Sequence, residues 1–283
     1  MKTFVCVLGG LALAALPAAV HAQDSLDVDE TVFDGDYGAV FAGVAIAPDY
    51  EGSDDTRILP VAGIAGEISG VNFTIRGPSL TLRVFETDLG SDAKIYVSPQ
   101  IRWRGGRKPG RIDDEVVKLL PEIDGLVEAG FRVGLNFDDI ISTEDSLSVG
   151  VSTRWDISGK GGGNTTTPSV TYRLPVSRAQ IIGVTASAQW IDDNYARYTY
   201  NISPDAALAS GLPAFEADGG FKRFSVGIGT ARDLSGNGLD GGLAIGAGVL
   251  YTRLYGSAAE TPTTSIRGSR DQWLAGAGVG YVF

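Results

Sequence analysis

The last eleven residues of the chain, Trp273 to Phe283, alternate between two kinds of side chain. The odd-numbered positions are apolar or aromatic, whereas the even-numbered positions are mostly small. In a β-strand, successive side chains point to opposite faces, so this segment has one apolar face and one small-residue face. Aromatic residues near both ends of the apolar face are typical of a transmembrane strand with a girdle at each interface. A half-buried strand of a soluble sandwich is the alternative.

The chain ends on Tyr281-Val282-Phe283. In this it resembles proteins of the bacterial outer membrane, which typically end in an aromatic residue that the barrel-assembly machinery reads. The resemblance implies that Tyr281 and Phe283 form an assembly signal and that the protein lies in the cell outer membrane. Its partners would then include the assembly machinery, outer-membrane lipid and lipopolysaccharide.

The N-terminus has the pattern of a secretory signal peptide. Lys2 precedes an apolar run from Phe4 to Ala19, and small residues before position 23 predict cleavage after Ala22. A membrane anchor is the alternative, but the run of about 16 residues is shorter than the roughly 20 that a membrane-spanning helix needs. We therefore expect residues 1–22 to be a cleaved signal.

Removing residues 1–22 takes away the only cysteine, histidine and methionine of the chain. A Ser-His-Asp triad, a histidine-ligated metal site and a disulfide framework are then impossible. Loss of Lys2 leaves 22 basic against 34 acidic residues, a formal charge of −12 that argues against nucleic acid as a partner. The composition thus predicts a protein that is not an enzyme and holds no cofactor or metal.

After residue 38 the chain repeats alternating segments of about ten residues, separated by polar and glycine-rich connections. Glycine supplies 39 of the 283 residues, too many for a helical protein. The repetition predicts an antiparallel transmembrane β-barrel of the bacterial outer membrane rather than a secreted sandwich. We expect a periplasmic lead-in over residues 23–38 and the barrel over residues 39–283.

The number of strands follows from the position of the termini. If both lie in the periplasm the number is even, and treating residues 71–86 as one strand gives an odd total. Apolar residues change faces at Gly77-Pro78, which predicts a turn or a bulge there. Splitting the segment at this point gives 12 strands, with 10 as the alternative if two short segments do not cross the membrane.

The alternation also assigns outward and inward faces. Apolar side chains face outward, and the expected topology brings four tryptophans to the extracellular strand ends as one aromatic girdle: Trp103, Trp155, Trp190 and Trp273. The opposite faces carry charges that would line the lumen: Arg102, Glu128, Arg132, Arg154 and Asp156. These arginines either set an anion preference in a pore or pair internally and obstruct a narrow lumen, and the second alternative is favoured.

Three stretches of the chain carry a resemblance to a known family. The first is a loop and the strand start that follows it, the second runs from Trp190 to Pro213, and the third is Arg267 to Gln272. The loop has eight signature positions: Pro48, Asp49, Tyr50, Glu51, Gly52, Ser53, Asp54 and Asp55. These stretches resemble the MipA/OmpV family, the outer-membrane proteins named for MltA-interacting protein. The basic segment Arg104 to Arg111 departs from the family pattern.

The resemblance implies a non-enzymatic barrel that holds a lytic transglycosylase and a penicillin-binding protein together during peptidoglycan remodelling. A narrow outer-membrane pore and a surface adhesin are the alternatives. The four acids of the signature loop resemble the oxygen-rich ligand sets of Ca²⁺, although a solvated loop is the favoured interpretation.

Overall fold

The computed structural model describes residues 31–90 and 93–283. The cleavage site expected at Ala22 and most of the lead-in lie outside these residues. Thirteen strand segments are present in the described part of the chain. They are β1 Tyr37–Pro48, β2 Thr56–Ile68, β3 Val71–Arg76, β4 Ser79–Arg83, β5 Phe85–Asp88, β6 Ala93–Arg104, β7 Leu126–Asp138, β8 Ser146–Asp156, β9 Asn164–Ser177, β10 Gln180–Ile191, β11 Gly220–Asp233, β12 Gly242–Leu254 and β13 Asp271–Val282.

All of these segments belong to one antiparallel sheet that closes on itself. Consecutive segments pair along the chain except β4 and β5, which both pair with β6, and β1 pairs with β13. The segments β4 and β5 are therefore two parts of one strand, and the barrel has 12 strands, as the sequence predicted. The turn expected at Gly77-Pro78 joins β3 to β4.

A β-bulge interrupts the strand made of β4 and β5. Thr81 pairs with Gln100, whereas Phe85 pairs with Val97, so one strand uses an extra residue between the two pairs. The side chains of Val84 and Phe85 are consequently both exposed. The sequence pattern did not predict this second irregularity.

The remaining strands follow the alternation that their sequences predict. Along β13, the outward-facing Trp273 and Tyr281 are 59% and 48% exposed, while the even-numbered residues face the lumen. Glycine on this inner face allows close approach between strands: a Cβ on Gly278 would lie 2.9 Å from the Cα of Gly43 on β1. Apolar residues outside and small or polar residues inside are the arrangement that a lipid environment requires.

The two ends of the barrel differ. At the end that holds both termini of the sheet, which we call the turn end, neighbouring strands are joined by short turns such as that between β9 and β10. At the other, the loop end, long connections contain the helices α1 Asp193–Tyr200, α2 Pro204–Ser210, α3 Gly256–Glu260 and α4 Pro262–Ser265. Two 3-10 turns, Pro109–Arg111 and Val117–Leu119, lie in the connection from β6 to β7. Among the described residues, no helix is long and apolar enough to cross a membrane.

The loops at the loop end pack against one another and form a structure that we call the cap. It consists of residues 49–55, 105–125, 192–219 and 255–270. One apolar cluster joins Tyr195 and Tyr200 of α1 to Ala258 of α3, and another joins Val117 to Ile202. Each cluster contains residues from at least two connections, so the cap has cores of its own.

Candidate functional site

The eight-residue signature loop lies at the centre of the cap and is tied to β13. The Gly52 amide donates to Oε1 of Gln272 at 3.1 Å, and Nε2 of Gln272 donates back to the Ser53 carbonyl at 2.9 Å. The Gly52 carbonyl accepts the amide of Ser269 at 2.8 Å. Gly52 has φ +97°, and a Cβ on it would collide with Oγ1 of Thr264. Only glycine fits this position without strain.

Asp49 and Tyr50 connect the signature loop to two further connections of the cap. The Asp49 carboxylate accepts the amide of Asp113 at 3.0 Å and lies 3.3 Å from Nη1 of Arg57. The Tyr50 hydroxyl donates to the carbonyls of Thr263 and Arg267, at 3.3 and 3.1 Å. Burial raises the pKa of the Tyr50 phenol, so the hydroxyl keeps its proton and can donate to these carbonyls.

Arg267 joins two connections of the cap through an ion pair. Its Nη2 atom lies 2.8 Å from Oδ2 of Asp114, and Oδ1 of the same carboxylate accepts the amides of Val116 and Val117, each at 2.8 Å. Burial opposes the charge on Asp114, but the two amides and Arg267 outweigh it and lower the pKa of this carboxyl. The ion pair holds the connection from β6 to β7 against the connection from β12 to β13.

Glu51 connects the signature loop to the barrel wall. One carboxylate oxygen lies 3.0 Å from Nζ of Lys222 and 3.6 Å from Nη1 of Arg223, both on β11. The other accepts a hydrogen bond from the Tyr200 hydroxyl. Lys222 also donates to the Tyr195 hydroxyl at 2.7 Å, so a signature-loop acid, a wall lysine and two helix tyrosines form one network.

A β-bulge explains why two successive residues of β11 reach Glu51. Trp190 pairs with Phe221 and Gln189 pairs with Arg223, so Lys222 is the extra residue on its strand. In a regular strand, Lys222 and Arg223 would point to opposite faces. The bulge turns both side chains to the inside, and Lys222 is only 3% exposed.

The ionisation of this network follows from its geometry. A third of the Glu51 side chain is open to the cavity, and its carboxylate contacts β11 on one side and α1 on the other. Burial opposes its charge, and the nearby Lys222, Arg223 and Tyr200 outweigh that effect, lowering the pKa of Glu51 to about 2. Burial and the Glu51 charge raise the pKa of Tyr200 well above 10. Burial also opposes ionisation of Tyr195, but Lys222 lowers the pKa of that phenol.

The acids of the signature loop are used as hydrogen-bond and ion-pair partners. Asp49 and Glu51 contact basic groups and amides, whereas Asp54 and Asp55 are exposed. Across residues 31–90 and 93–283, no group of three or more acidic side chains could hold a metal ion. Two of the four acids that resembled calcium ligands, Asp49 and Glu51, are thus paired with basic side chains.

A cavity of about 570 Å³ lies beneath and beside the cap. Six basic side chains contribute to its lining: Arg57, Arg104, Arg107, Lys108, Arg111 and Arg223. Three acids also line it, namely Asp49, Glu51 and Asp124. Aromatic and apolar groups, including Tyr198 and Leu274, complete the wall. A cationic excess inside a protein of formal net charge −11 gives this space a local potential opposite to that of the whole chain.

Below the cavity, Glu128 is the centre of the charged lumen. It is 1% exposed, accepts from Nε of Arg102 at 2.9 Å and lies 2.9 Å from Nε of Arg104. The guanidinium of Arg104 also stacks on the ring of Tyr195, with its carbon 4.0 Å from the ring centre. A buried carboxylate shared by two arginines thus connects the lumen to the cap.

The other predicted lumen charges have different partners. Arg132 donates to the Tyr96 hydroxyl at 2.8 Å and to Oγ of Ser169 at 2.7 Å, and Arg154 donates to Oε1 of Gln100 at 3.1 Å. These partners are neutral. Asp156 lies at the loop end of β8 and accepts the amides of Ser158, Lys160 and Gly162. It orders the connection to β9 and forms no ion pair with a lumen arginine in the described structure.

The four tryptophans lie on the outward face at the loop ends of β6, β8, β10 and β13. Their exposed fractions range from 43% to 59%: Trp103, Trp155, Trp190 and Trp273. Trp190 packs on Phe221, and Trp273 packs on Tyr251, with ring centres 5.0 and 4.9 Å apart. The shared level and outward direction are those of an interfacial aromatic belt.

The family model for MltA-interacting protein MipA matches residues 40–283. The chain belongs to this family. The match spans every strand from β2 to β13 and most of β1, together with the whole cap. No curated protein sequence matches the chain.

Solved structures with a fold similar to this MipA-family barrel include outer-membrane channels. An outer membrane channel from Pseudomonas putida F1 is 10% identical, with TM-score 0.48, and the match covers 92% of this chain and 100% of that one. The channel DcaP of Acinetobacter baumannii is 12% identical, with TM-score 0.38 and coverages of 88% and 96%. An anion-selective porin from Comamonas acidovorans is 10% identical, with TM-score 0.37 and coverages of 88% and 98%. The barrel fold of the MipA-family chain fits a protein of the bacterial outer membrane.

The sequence reasoning missed the residues that hold the MipA-family signature loop in place. Lys222, Tyr195 and Tyr200 are distant from Glu51 in the chain, and no local pattern connects them. One signal was available. Lys222 and Arg223 are two adjacent cations, whereas the residues that follow them alternate between apolar and small or polar side chains. Adjacent charges in an alternating segment indicate a bulge, or a strand end that turns inward.

Proposed function

We propose that this protein is a non-enzymatic outer-membrane barrel that brings murein-processing enzymes together at the periplasmic face. The observation that carries the proposal is the family match over residues 40–283, because the family is named for interaction with MltA. A lytic transglycosylase and a penicillin-binding protein are the partner classes that this role requires. No histidine or cysteine occurs in residues 31–90 and 93–283, and the buried charges there contact one another or neutral groups, which supports a binding role over catalysis.

The turn between β7 and β8 is the best candidate contact for such a partner. Asp145 accepts the amides of Ile140, Ile141 and Ser142 at 2.6, 2.9 and 3.1 Å, and the Tyr172 hydroxyl donates to the same carboxylate at 2.5 Å. This network fixes the turn while leaving Ile140 47% and Ile141 80% exposed. Two ordered, exposed isoleucines supply apolar area for a partner at little entropic cost.

Pull-down from crosslinked envelopes tests the proposal. The unmodified protein should recover a lytic transglycosylase and a penicillin-binding protein, and the double variant Ile140→Ser/Ile141→Ser should recover several-fold less of them. The matched control is Leu208→Ser/Ile266→Ser, which removes two exposed apolar side chains, 87% and 56% exposed, from the loop end. Recovery of no murein enzyme by the unmodified protein would refute the proposal. Equal losses in both double variants would refute the role of the β7–β8 turn.

A narrow pore is the second candidate, and one observation favours it. Arg132 and Arg154 contact neutral oxygens, so their charges in the lumen are not compensated by a direct ion pair within the described structure. Uncompensated cations along a lumen favour passage of anions. Conductance of the purified protein separates this candidate from the scaffold.

A further inference from the structure

The segment from Arg104 to Arg111 holds four basic residues and no acid. It opens the connection from β6 to β7, where all four of its basic side chains line the cavity beneath the cap. Arg104 is the last residue of β6, whereas residues 105–111 lie outside the strands and away from the proposed partner contacts at the turn end. Its position suggests that it binds a molecule which enters the cavity.

Two of these cations have no acidic partner among the described residues. Arg104 lies against Glu128, and Nζ of Lys108 is 3.6 Å from Glu122. Arg107, in contrast, directs Nε and Nη2 to the Pro121 carbonyl, each at 3.2 Å, and the Arg111 side chain forms no ion pair in this part of the chain. Arg107 therefore lies in the cavity lining with a charge that only a weak backbone dipole balances.

The neighbourhood of Arg107 makes this charge costly. Burial lowers the pKa of the Arg107 guanidinium to about 10, with no carboxylate to offset it. The group still carries its full charge at neutral pH, because its pKa remains well above 7. An anion placed in the cavity would compensate a cation that the protein leaves unbalanced.

Beside this segment, the barrel wall is shorter at the loop end. The hairpin of β3 and β4 ends where Arg76 pairs with Gly63, so residues 56–62 of β2 have no strand neighbour on that side within the described structure. The connection from β6 to β7 lies against this free edge, and Nη1 of Arg57 donates to the Arg111 carbonyl at 3.4 Å. A loop rather than a strand thus closes the cavity toward the surrounding membrane.

From these observations we infer that the cavity is an anion-binding site, in which Arg107 and Arg111 hold phosphate groups and the aromatic and apolar lining holds the body of the ligand. Guanidinium groups suit phosphate because their planar donors form paired, charge-assisted hydrogen bonds. Tyr198 in the lining offers ring surface to the body of a ligand. The same chemistry fits a phosphorylated solute from outside the cell and the headgroup of a phosphorylated lipid.

Binding of inorganic pyrophosphate and of a phosphorylated lipid tests the inference. The purified barrel in a nonionic detergent is titrated by calorimetry with pyrophosphate, and separately with mixed micelles that contain phosphatidic acid. Arg107→Gln/Arg111→Gln should weaken binding by roughly tenfold or more, the effect of losing charge-assisted hydrogen bonds. The matched control is Lys118→Gln/Lys160→Gln, which removes the same charge from loop-end residues outside the cavity lining.

The two probes distinguish the source of the phosphate. Pyrophosphate binding that depends on Arg107 and Arg111 supports a site for soluble anions, and arginine-dependent binding of the lipid micelles alone supports a lipid headgroup site. Heat-modifiable migration on a gel establishes that each variant is folded. Equal weakening in the arginine and lysine variants would overturn the inference, as would no binding of either probe to the unmodified protein.

Discussion

The Nζ atom of Lys222 lies 3.0 Å from Oε2 of Glu51 and joins the signature loop to the barrel wall. Lys222 is almost fully buried, and its position inside the barrel depends on the bulge in β11. The same lysine binds the Tyr195 hydroxyl of α1, so one wall residue holds two connections of the cap. The cap therefore depends on a contact between distant parts of the chain.

Replacing Glu51 by Gln should loosen the cap. The substitution leaves Lys222 buried without its countercharge, which in comparable buried pairs costs about 3–5 kcal/mol. We expect residues 192–219 to become several-fold more sensitive to protease while the barrel stays folded. Limited proteolysis of the purified protein, followed by mass spectrometry of the fragments, measures the effect.

Asp54→Asn is the matched control for Glu51→Gln. It removes one charge from the same loop, where the Asp54 side chain is exposed. Its cleavage rate should equal that of the unmodified protein. Equal sensitivity of the two variants would show that net loop charge, rather than the contact with Lys222, holds the cap.

Stability of the cap should depend on pH through Glu51. Its pKa falls from an ordinary 4.5 to about 2 in the folded protein, so the carboxylate contributes stability above pH 4.5. This contribution decreases as the pH falls from 4.5 toward 2. Cleavage of residues 192–219 by an acid-active protease should rise over this interval. Glu51→Gln should remove the part of the rise that Glu51 causes, and an identical pH profile in the variant would contradict this assignment.

Gly52→Ala should impair folding of the loop end. The new Cβ would meet Oγ1 of Thr264 and would hold an alanine at positive φ. Gly70→Ala is the control, because Gly70 has φ +79° in a turn with open space around it. Both variants carry the backbone strain of about 1 kcal/mol, and only Gly52→Ala adds the collision. Thermal unfolding, followed by heat-modifiable migration, should place Gly52→Ala clearly below Gly70→Ala, and equal midpoints would exclude the collision.

Deletion of Phe283 should impair insertion into the membrane while leaving synthesis intact. The Phe283 amide donates to the Gly38 carbonyl, and its carbonyl accepts the Gly38 amide, both at 2.8 Å, so the residue completes the pairing of β1 with β13. Its ring is 60% exposed on the outside, where an assembly factor could reach it. Quantitative gels of folded and unfolded protein test this, and unchanged folding rate and yield would count against an assembly signal.

The sequence predicted those parts of the fold that depend on local periodicity. The inner and outer faces of β7, β8 and β13 follow from side-chain alternation, and the change of face at Gly77-Pro78 located a turn that fixed the strand number. The bulges near Val84 and Lys222 were not predicted, because an extra residue in a strand leaves only a brief break in the pattern. Inside the barrel, the sequence pattern predicted charges on the inner faces of the strands but not the partners that these side chains contact.

The cap could not be derived from the sequence for a different reason. Its stability comes from contacts between connections, such as Arg267 with Asp114 and Tyr50 with Thr263, whose partners are far apart in the chain. The resemblance to a family marked the signature loop as special, but it did not show that the loop anchors the cap. Without that geometry, Asp49 and Glu51 resembled potential calcium ligands.

Arg132→Ala should open the lumen. Arg132 crosses from β7 to contact Tyr96 on β6 and Ser169 on β9, and its removal leaves space in the middle of the barrel. We expect measurable conductance from the variant in planar bilayers. Ser158→Ala, in the exposed connection after β8, is the control and should not change conductance. Failure of Arg132→Ala to conduct would place the obstruction elsewhere, at the cap.

Conductance of the unmodified, purified protein tests most directly whether this barrel acts by binding rather than by passage of solutes. The ordered cap and the arginine contacts across the lumen predict little or no current in planar bilayers at neutral pH. Stable, large, anion-selective channels from the unmodified protein would contradict the account and establish the pore as its function.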